Sequence, residues 1–450
     1  MKPPTSSLNK VSRREFVAST LACAAAPALS MGAPAASAAG SASSGSASSV
    51  LGPVVGHTEE RRSVLWLRAT KPGEYVLEVA AGAGGRRSYT AEATVEGDLC
   101  LHWDVKDLQP DTKYAYRVLH KGQVVKAAPE QTFTTAPAAG RRAKVRFAIS
   151  SCAKEDEGSR AVWDRMAAEK VDAVILIGDT PYIDSTDLNV QTKRHREFAA
   201  VEQYQKLLQS RPCWWTWDDH DFGKNGCDGT LAGKENSRTV YCRYRPQAGF
   251  GENNQGIYTK FRYGPVEVFM LDTRWFSNTE KSYVDSSQPS LLGAAQWEWL
   301  QKGLKASTAT FKLLACGVIW DDKENRESDD WGTYMQERKA LESFIASNKI
   351  PGVILVGGDI HASRVLRYKS AKTVGYNLVQ FIASPIHSSV IPSLNVYNPD
   401  LVRSAVEPHV FLVMEVDDTV TPARVTAELV NRHGERVFTY SLTSQDLTPA

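Results

Sequence analysis

The chain has 450 residues, 42% hydrophobic and 23% charged, with 31 Gly and 21 Pro, so collagen-like and wholly disordered chains are excluded. Lys and Arg number 53 against 51 Asp and Glu, a formal +2. Residues 1–38 hold Lys2, Lys10, Arg13 and Arg14 against Glu15, a net +3, so the rest of the chain sits at 2 − 3 = −1. That balance gives no polyanion-binding surface, and nucleic acid is not an expected partner.

The N-terminus reads as a targeting segment. Basic residues from Lys10 to Arg14 precede an apolar, Ala-rich run over Phe16–Leu29, and small residues around Ala38 suit cleavage. The string Ser12-Arg13-Arg14-Glu15-Phe16 resembles the twin-arginine export motif, an address read by a receptor. A general secretory signal that carries two arginines is the alternative. Residues 1–38 are therefore expected to engage the twin-arginine export machinery and to send the protein to the periplasm or outside the cell. Residues 39–50 form a Ser/Ala/Gly linker. No later segment holds 18 apolar residues in a row, so no integral membrane segment is expected in the mature chain. Export leads to an oxidising compartment, where the six cysteines at 100, 152, 213, 227, 242 and 316 need explaining. Cys227 and Cys242 flank a polar, Gly-containing loop and are a candidate disulfide.

Residues 51–137 read as short strands. Ser63–Arg68, Glu74–Val79, Leu99–Val105 and Tyr114–Leu119 alternate, with turn residues such as Lys71-Pro72-Gly73 between them. Regular spacing without a helical stretch predicts a small β-sandwich of fibronectin-III-like type. After a boundary at Ala136–Gly140, residues 143–445 alternate apolar strands with helices. Strands are expected at Val145–Ser151, Asp172–Ile177, Cys213–Trp217, Val266–Leu271, Phe311–Cys316, Val353–Val356, Leu378–Ile382, Val410–Val416, Ala423–Leu429 and Arg436–Ser441. Helices are expected at Ser159–Lys170, capped by Ser159, at Gln203–Gln209, at Ala294–Ala306 and at Gln336–Ser347. Trp214, Trp215, Trp217, Trp297 and Trp299 read as packing residues, and Asp321 to Glu324 as a solvated loop.

Chemistry-bearing residues stand at the carboxyl ends of successive apolar strands: Cys152, Asp179, the run Asp218 to Asp221, and Asp359 with His361. Ligand and catalytic groups collect at such ends in layered α/β proteins. A single Gly-Asp is an ordinary turn. Four such ends carrying Cys, Asp, His and Tyr, with no Gly-rich nucleotide fingerprint, point to a metal site.

Ser151-Cys152, Gly178-Asp179-Thr180-Pro181-Tyr182, the run from Trp217 to Asn225, Leu271-Asp272-Thr273-Arg274 and Gly358-Asp359-Ile360-His361 together resemble the PhoD-type alkaline phosphatases. The resemblance covers about 390 residues and implies an α/β fold. It is the four-layer αββα metallophosphoesterase sandwich, two central mixed sheets face to face with helices outside. It implies Fe3+ with one or two Ca2+, dinuclear transition metals being the alternative. By the same resemblance Cys152, Asp179, Tyr182, Asp359 and His361 are iron-side ligands, with Asp179 bridging, and Asp219 and Asn225 are calcium-side ligands. A thiolate suits a transition metal and hard oxygens suit calcium.

The implied reaction is hydrolysis of organic phosphate esters by in-line attack of a water activated by the metals. His220 is placed to protonate the leaving alkoxide or steady the phosphoryl oxygens, with Asp218 or Asp221 orienting its ring. Arg274 and Arg364 are candidate phosphate clamps, the alternative for each being an internal ion pair, and His387 is a near-site candidate. A phosphodiesterase or phospholipase-type enzyme using the same centre, and a noncatalytic surface-binding protein, are the competing readings.

Overall fold

The computed structural model describes residues 50–450 except 83, 126–130 and 321–328. The targeting segment, nearly all of the linker and the predicted loop at Asp321 to Glu324 lie outside the described residues.

Two antiparallel sheets occupy the N-terminal region. Leu51–Thr58, Ser63–Arg68 and Cys100–Val105 make one. The other is built on Gly73–Ala81 and Lys113–His120, flanked by Arg87–Ala93, Gln131–Thr134 and the short Gln123–Val124. Alternate residues of both sheets, among them Leu65, Leu67, Tyr75, Leu77, Trp103, Val118 and Phe133, close a core between them. Period-two alternation marks strands buried on one face, such as Cys100–Val105 and Lys113–His120, whereas Leu51–Thr58 and Ser63–Arg68 are buried along their whole length.

The remainder is an α/β sandwich with two central sheets. The first has six strands in the order Cys213–Thr216, Ala173–Ile177, Lys144–Ser150, Val410–Asp417, Arg424–Asn431 and Arg436–Thr443. Its first three strands are parallel and the rest antiparallel. The second has seven, in the order Thr259–Tyr263, Val266–Met270, Phe311–Ala315, Val353–Gly357, Val379–Ile382, Ser363–Arg367 and Leu401–Ala405, with four parallel strands at its centre.

Register sorts the side chains. Phe147, Ile149, Ile175, Ile177 and Trp214 of the first sheet face the second, where Trp214 stacks on Phe261 at 3.6 Å between ring centroids. Ala148, Val174, Leu176 and Trp215 face outward onto Val162, Trp163, Phe198 and Tyr204 of the covering helices. Burial on both faces explains why these strands read as unbroken apolar runs.

Helix Glu157–Ala168 is capped by Asp156, whose carboxylate accepts from the Ser159 N–H at 2.9 Å, so the expected cap at Ser159 is corrected by three residues. Helices Leu188–Ala199 and Lys234–Tyr244 were not anticipated. All five tryptophans named above pack; Trp214, Trp215, Trp217 and Trp297 are fully buried and Trp299 is partly so. Cys227 and Cys242 are both free thiols, so the candidate disulfide is not formed.

The β region is clamped onto the sandwich through main-chain acceptors. The indole N–H of Trp66 donates to Arg243 O at 3.0 Å, the Tyr116 hydroxyl to Gln209 O at 2.7 Å, and the His57 N–H to Pro246 O at 2.8 Å. A Cβ on Gly56 would lie 2.1 Å from Pro246 O, so the two backbones meet there without room for a side chain.

Candidate metal and phosphoryl site

The carboxyl ends of parallel strands from both sheets bring Cys152, Asp179, Asp218 and Asp359 close together. Cys152, Asp179, Asp359 and His361 all take positive φ, at 59°, 53°, 67° and 49°. Left-handed backbone costs a non-glycine residue about 1–3 kcal/mol, and such strain collects at functional sites. Gly178, at φ 96°, lets the chain pass Asp218, whose Cβ would lie 2.5 Å from a side chain there.

Three groups of donor atoms result, each within 4.8 Å of one another: Cys152 with Asp179 and His361; Asp179 with Asp219 and His220; Asp218 with Asp219 and Asp359. Asp179 joins the first two groups and Asp219 the last two, so the three form one continuous centre. Asp359 stands with carboxylates, while its main-chain oxygen lies 3.7 Å from the Cys152 thiol. The Tyr182 hydroxyl is 2.9 Å from His361 Nε2, which joins it to the thiol–imidazole end. Asn225 is exposed, in the turn whose Gly226 N–H donates to Asp219 at 2.6 Å.

The electrostatics call for cations. Burial, then repulsion from Asp219, Asp218, Asp221 and Asp359, lifts Asp179 well above the usual carboxylate range. Burial also lifts Asp218 and the Cys152 thiol, and takes Asp221 up to about 7. Burial acts upward on Asp219 too, but Arg274, His220 and two backbone N–H groups outweigh it and hold this carboxyl low. Desolvation pushes the Tyr182 phenol upward, reinforced by Asp179 and Cys152. Desolvation, His220 and Lys154 bring His361 down to about 4. Asp218 Oδ2 and His361 Nδ1 are buried with no hydrogen-bond partner among the described residues. Clustered carboxylates, a thiol, a phenol and a neutral imidazole with open lone pairs are the donor set of a metal centre.

The other expected residues fall in different places. His220 is the second residue of the short helix Asp219–Phe222 and keeps 20% side-chain exposure, so its ring is accessible to solvent. Its Nδ1 lies 2.5 Å from Asp184, a residue the sequence reading passed over. Asp184 corrects the expectation that Asp218 or Asp221 orients the ring. Asp221 instead accepts from the Asp218 N–H at 2.6 Å and the Thr180 N–H at 3.4 Å, bracing the loops that carry Asp179 and Asp218. Arg274 is buried and engaged by Asp218 at 2.6 Å, by Asp329 at 2.7 Å and by Cys227 O at 3.1 Å, the geometry of an internal ion pair. Arg364 is completely buried within Ser363–Arg367. His387 is completely buried against Tyr182, with Nε2 2.9 Å from the phenolic oxygen. Exposed Lys154 sets its ammonium 4.5 Å from the centre of the Tyr182 ring.

Residues 147–420, more than half of the chain, match the PhoD-like phosphatase family. The chain belongs to that family. Residues 46–138 match a second family, a domain of unknown function (DUF7800). Alkaline phosphatase D of Bacillus subtilis (strain 168) is 26% identical over 315 residues, which is 58% of this chain and 53% of that protein. The chain thus spans about half the length of this curated relative. Among solved structures, that of PhoD superposes with a TM-score of 0.71 at 19% identity, covering 90% of this chain and 94% of that one. A purple acid phosphatase from yellow lupin seeds gives 0.65 at 13% identity, covering 90% and 77%. Both share the fold. Within this PhoD-like chain no described helix is long and apolar enough to cross a membrane.

Proposed function

We propose that this PhoD-like chain is an exported, metal-dependent phosphoesterase of the alkaline phosphatase D type, releasing inorganic phosphate from organic esters. The observation that carries the proposal is the continuous donor centre that links Cys152, Asp179, His361, Asp219, Asp218 and Asp359, with His220 beside it. In this reading residues 1–38 are a twin-arginine signal and 39–50 a linker. Residues 51–137 are a β-sandwich unit and 143–445 the catalytic unit. The destination is the periplasm or the exterior.

Cys152, Asp179, Tyr182, Asp359 and His361 would hold a ferric ion, a choice supported by a soft thiolate beside a phenolate. Asp219 and Asn225, with Asp218 beside them, offer the hard oxygens that suit calcium. When bound, such ions supply Lewis-acid stabilisation of phosphoryl charge and a lowered pKa for water. The chain's own residues do the rest. Asp184 holds the His220 ring through Nδ1, which leaves Nε2 to deliver a proton to the departing alkoxide. Asp221 locks the loops of Asp179 and Asp218 together. Arg274 neutralises Asp218 beneath the site rather than reaching phosphate.

A diesterase using the same centre is the second reading, since such a metal centre can serve both ester classes. Side-by-side assay of a nitrophenyl monoester and a nitrophenyl diester, with and without chelation, tests the proposal. Chelator-sensitive release from the monoester is expected. Preference for the diester selects the second reading, and inactivity on both selects a noncatalytic surface-binding protein.

A further inference from the structure

Three hydrogen bonds beside the site run in one direction. The Ser389 N–H donates to His387 Nδ1 at 3.0 Å. That bond makes Nδ1 the acceptor and leaves the proton of the neutral ring on Nε2. His387 Nε2 lies 2.9 Å from the Tyr182 oxygen, so it donates there. The phenolic O–H is then free to donate to His361 Nε2, also at 2.9 Å.

The rest of the setting fixes the ring in this role. His387 is completely buried, and its backbone N–H donates to Cys152 O at 3.0 Å, which ties it to the thiol loop. Its ring stands edge to face with His361 at 4.5 Å between centroids.

We infer that His387 is a positioning residue for Tyr182: its Nε2–H is aimed at the phenolic oxygen and holds that oxygen in place as a ligand for a cation. The inference rests on the metal-centre reading above. Were Tyr182 and His361 to hold a cation, the phenolic proton would leave to solvent and the His361 lone pair would be free for ligation. The negative oxygen then keeps one fixed donor, Nε2–H of His387, whose tautomer is set from outside the site by Ser389. Outer partners of this kind are typically worth ~10–100-fold in metal affinity. His387 thus serves the ligand and not the substrate.

The test uses the full mature chain, stripped with chelator and titrated with ferric ion. Wild type should gain the ultraviolet signature of tyrosinate and a visible tyrosinate-to-iron band. His387→Phe keeps a flat buried ring but no donor. It should hold iron ~10–100-fold more weakly, with the visible band at longer wavelength, because an unassisted phenolate is the better electron donor. His387→Gln restores an N–H near the same place and should recover both properties. Should the Phe chain not fold, Ser389→Pro removes the tautomer-setting N–H at an exposed position and should shift the band the same way. A Phe variant with unchanged iron retention and band, or a Gln variant that behaves like Phe, overturns this inference alone. A wild-type chain that develops no tyrosinate signal overturns the metal-centre reading with it.

Discussion

Arg274 is the residue for which sequence and structure suggest different work, and its replacement separates the two. Its side chain and that of Asp218 are each 1% exposed, and Asp329 is 17% exposed. The guanidinium makes three hydrogen bonds of 2.6–3.1 Å to Asp218, Asp329 and Cys227 O. Removing one partner of a buried pair typically costs about 3–5 kcal/mol, because the other charge is left uncompensated. At roughly 2 °C per kcal/mol for a unit of this size, Arg274→Met should lower Tm by about 6–10 °C. Burial already pushes the Asp218 carboxyl up, so in the variant it takes a proton rather than remain charged. Adding Asp218→Asn should therefore cost little more, a coupling readable in a double-mutant cycle. Calorimetry of the chelated proteins reads the stability term without interference from bound ions. An Arg274→Met chain with unchanged Tm but a raised KM would refute this reasoning and return Arg274 to the phosphate.

His220→Ala should keep its metals and much of its activity on a nitrophenyl ester, yet lose ~10²–10⁴-fold on an alkyl phosphate, whose leaving group needs a proton. Asp184→Ala should show the same selectivity with a smaller loss, measured as the ratio of kcat/KM on the two esters. Equal losses on both would assign His220 to the phosphoryl oxygens instead. Gly56→Ala forces a methyl against Pro246 O and should destabilise the chain by about 1–3 kcal/mol, seen as a lower urea midpoint with kcat unchanged below the transition. Replacing Arg13 and Arg14 by Lys should leave active enzyme in the cytoplasm on cell fractionation, and normal export would remove the twin-arginine assignment.

Much of the sandwich was legible because its central strands are buried on both faces and stop at polar, chemistry-bearing residues. Val145–Ser151, Asp172–Ile177 and Val353–Val356 were readable for that reason. Helix Leu188–Ala199 was not, because its buried face is Gln191, His195, Phe198 and Ala199, half of it polar, so no apolar stripe repeats every 3.6 residues. Lys234–Tyr244 hides in the same way behind Ser237 and Tyr241. Strands Ser363–Arg367 and Leu401–Ala405 bury or half-bury arginines and serines, which a reading of apolar runs passes over. The donors at strand ends were legible from position. Asp184 was not, since nothing in its spacing shows that the loop after Tyr182 folds back until Asp184 meets His220. Asp156 and Ser159 are both good caps three residues apart, so the sequence alone does not separate them.

The central claim is that Asp179 joins two parts of one metal centre. The most direct measurement is elemental analysis of protein purified from its native export route, wild type against Asp179→Asn, with phosphate release followed on the same samples. The account predicts stoichiometric iron and calcium in wild type, with both ions and the activity lost together in the variant. A wild type that is active and metal-free, or a variant that keeps both ions, would contradict it.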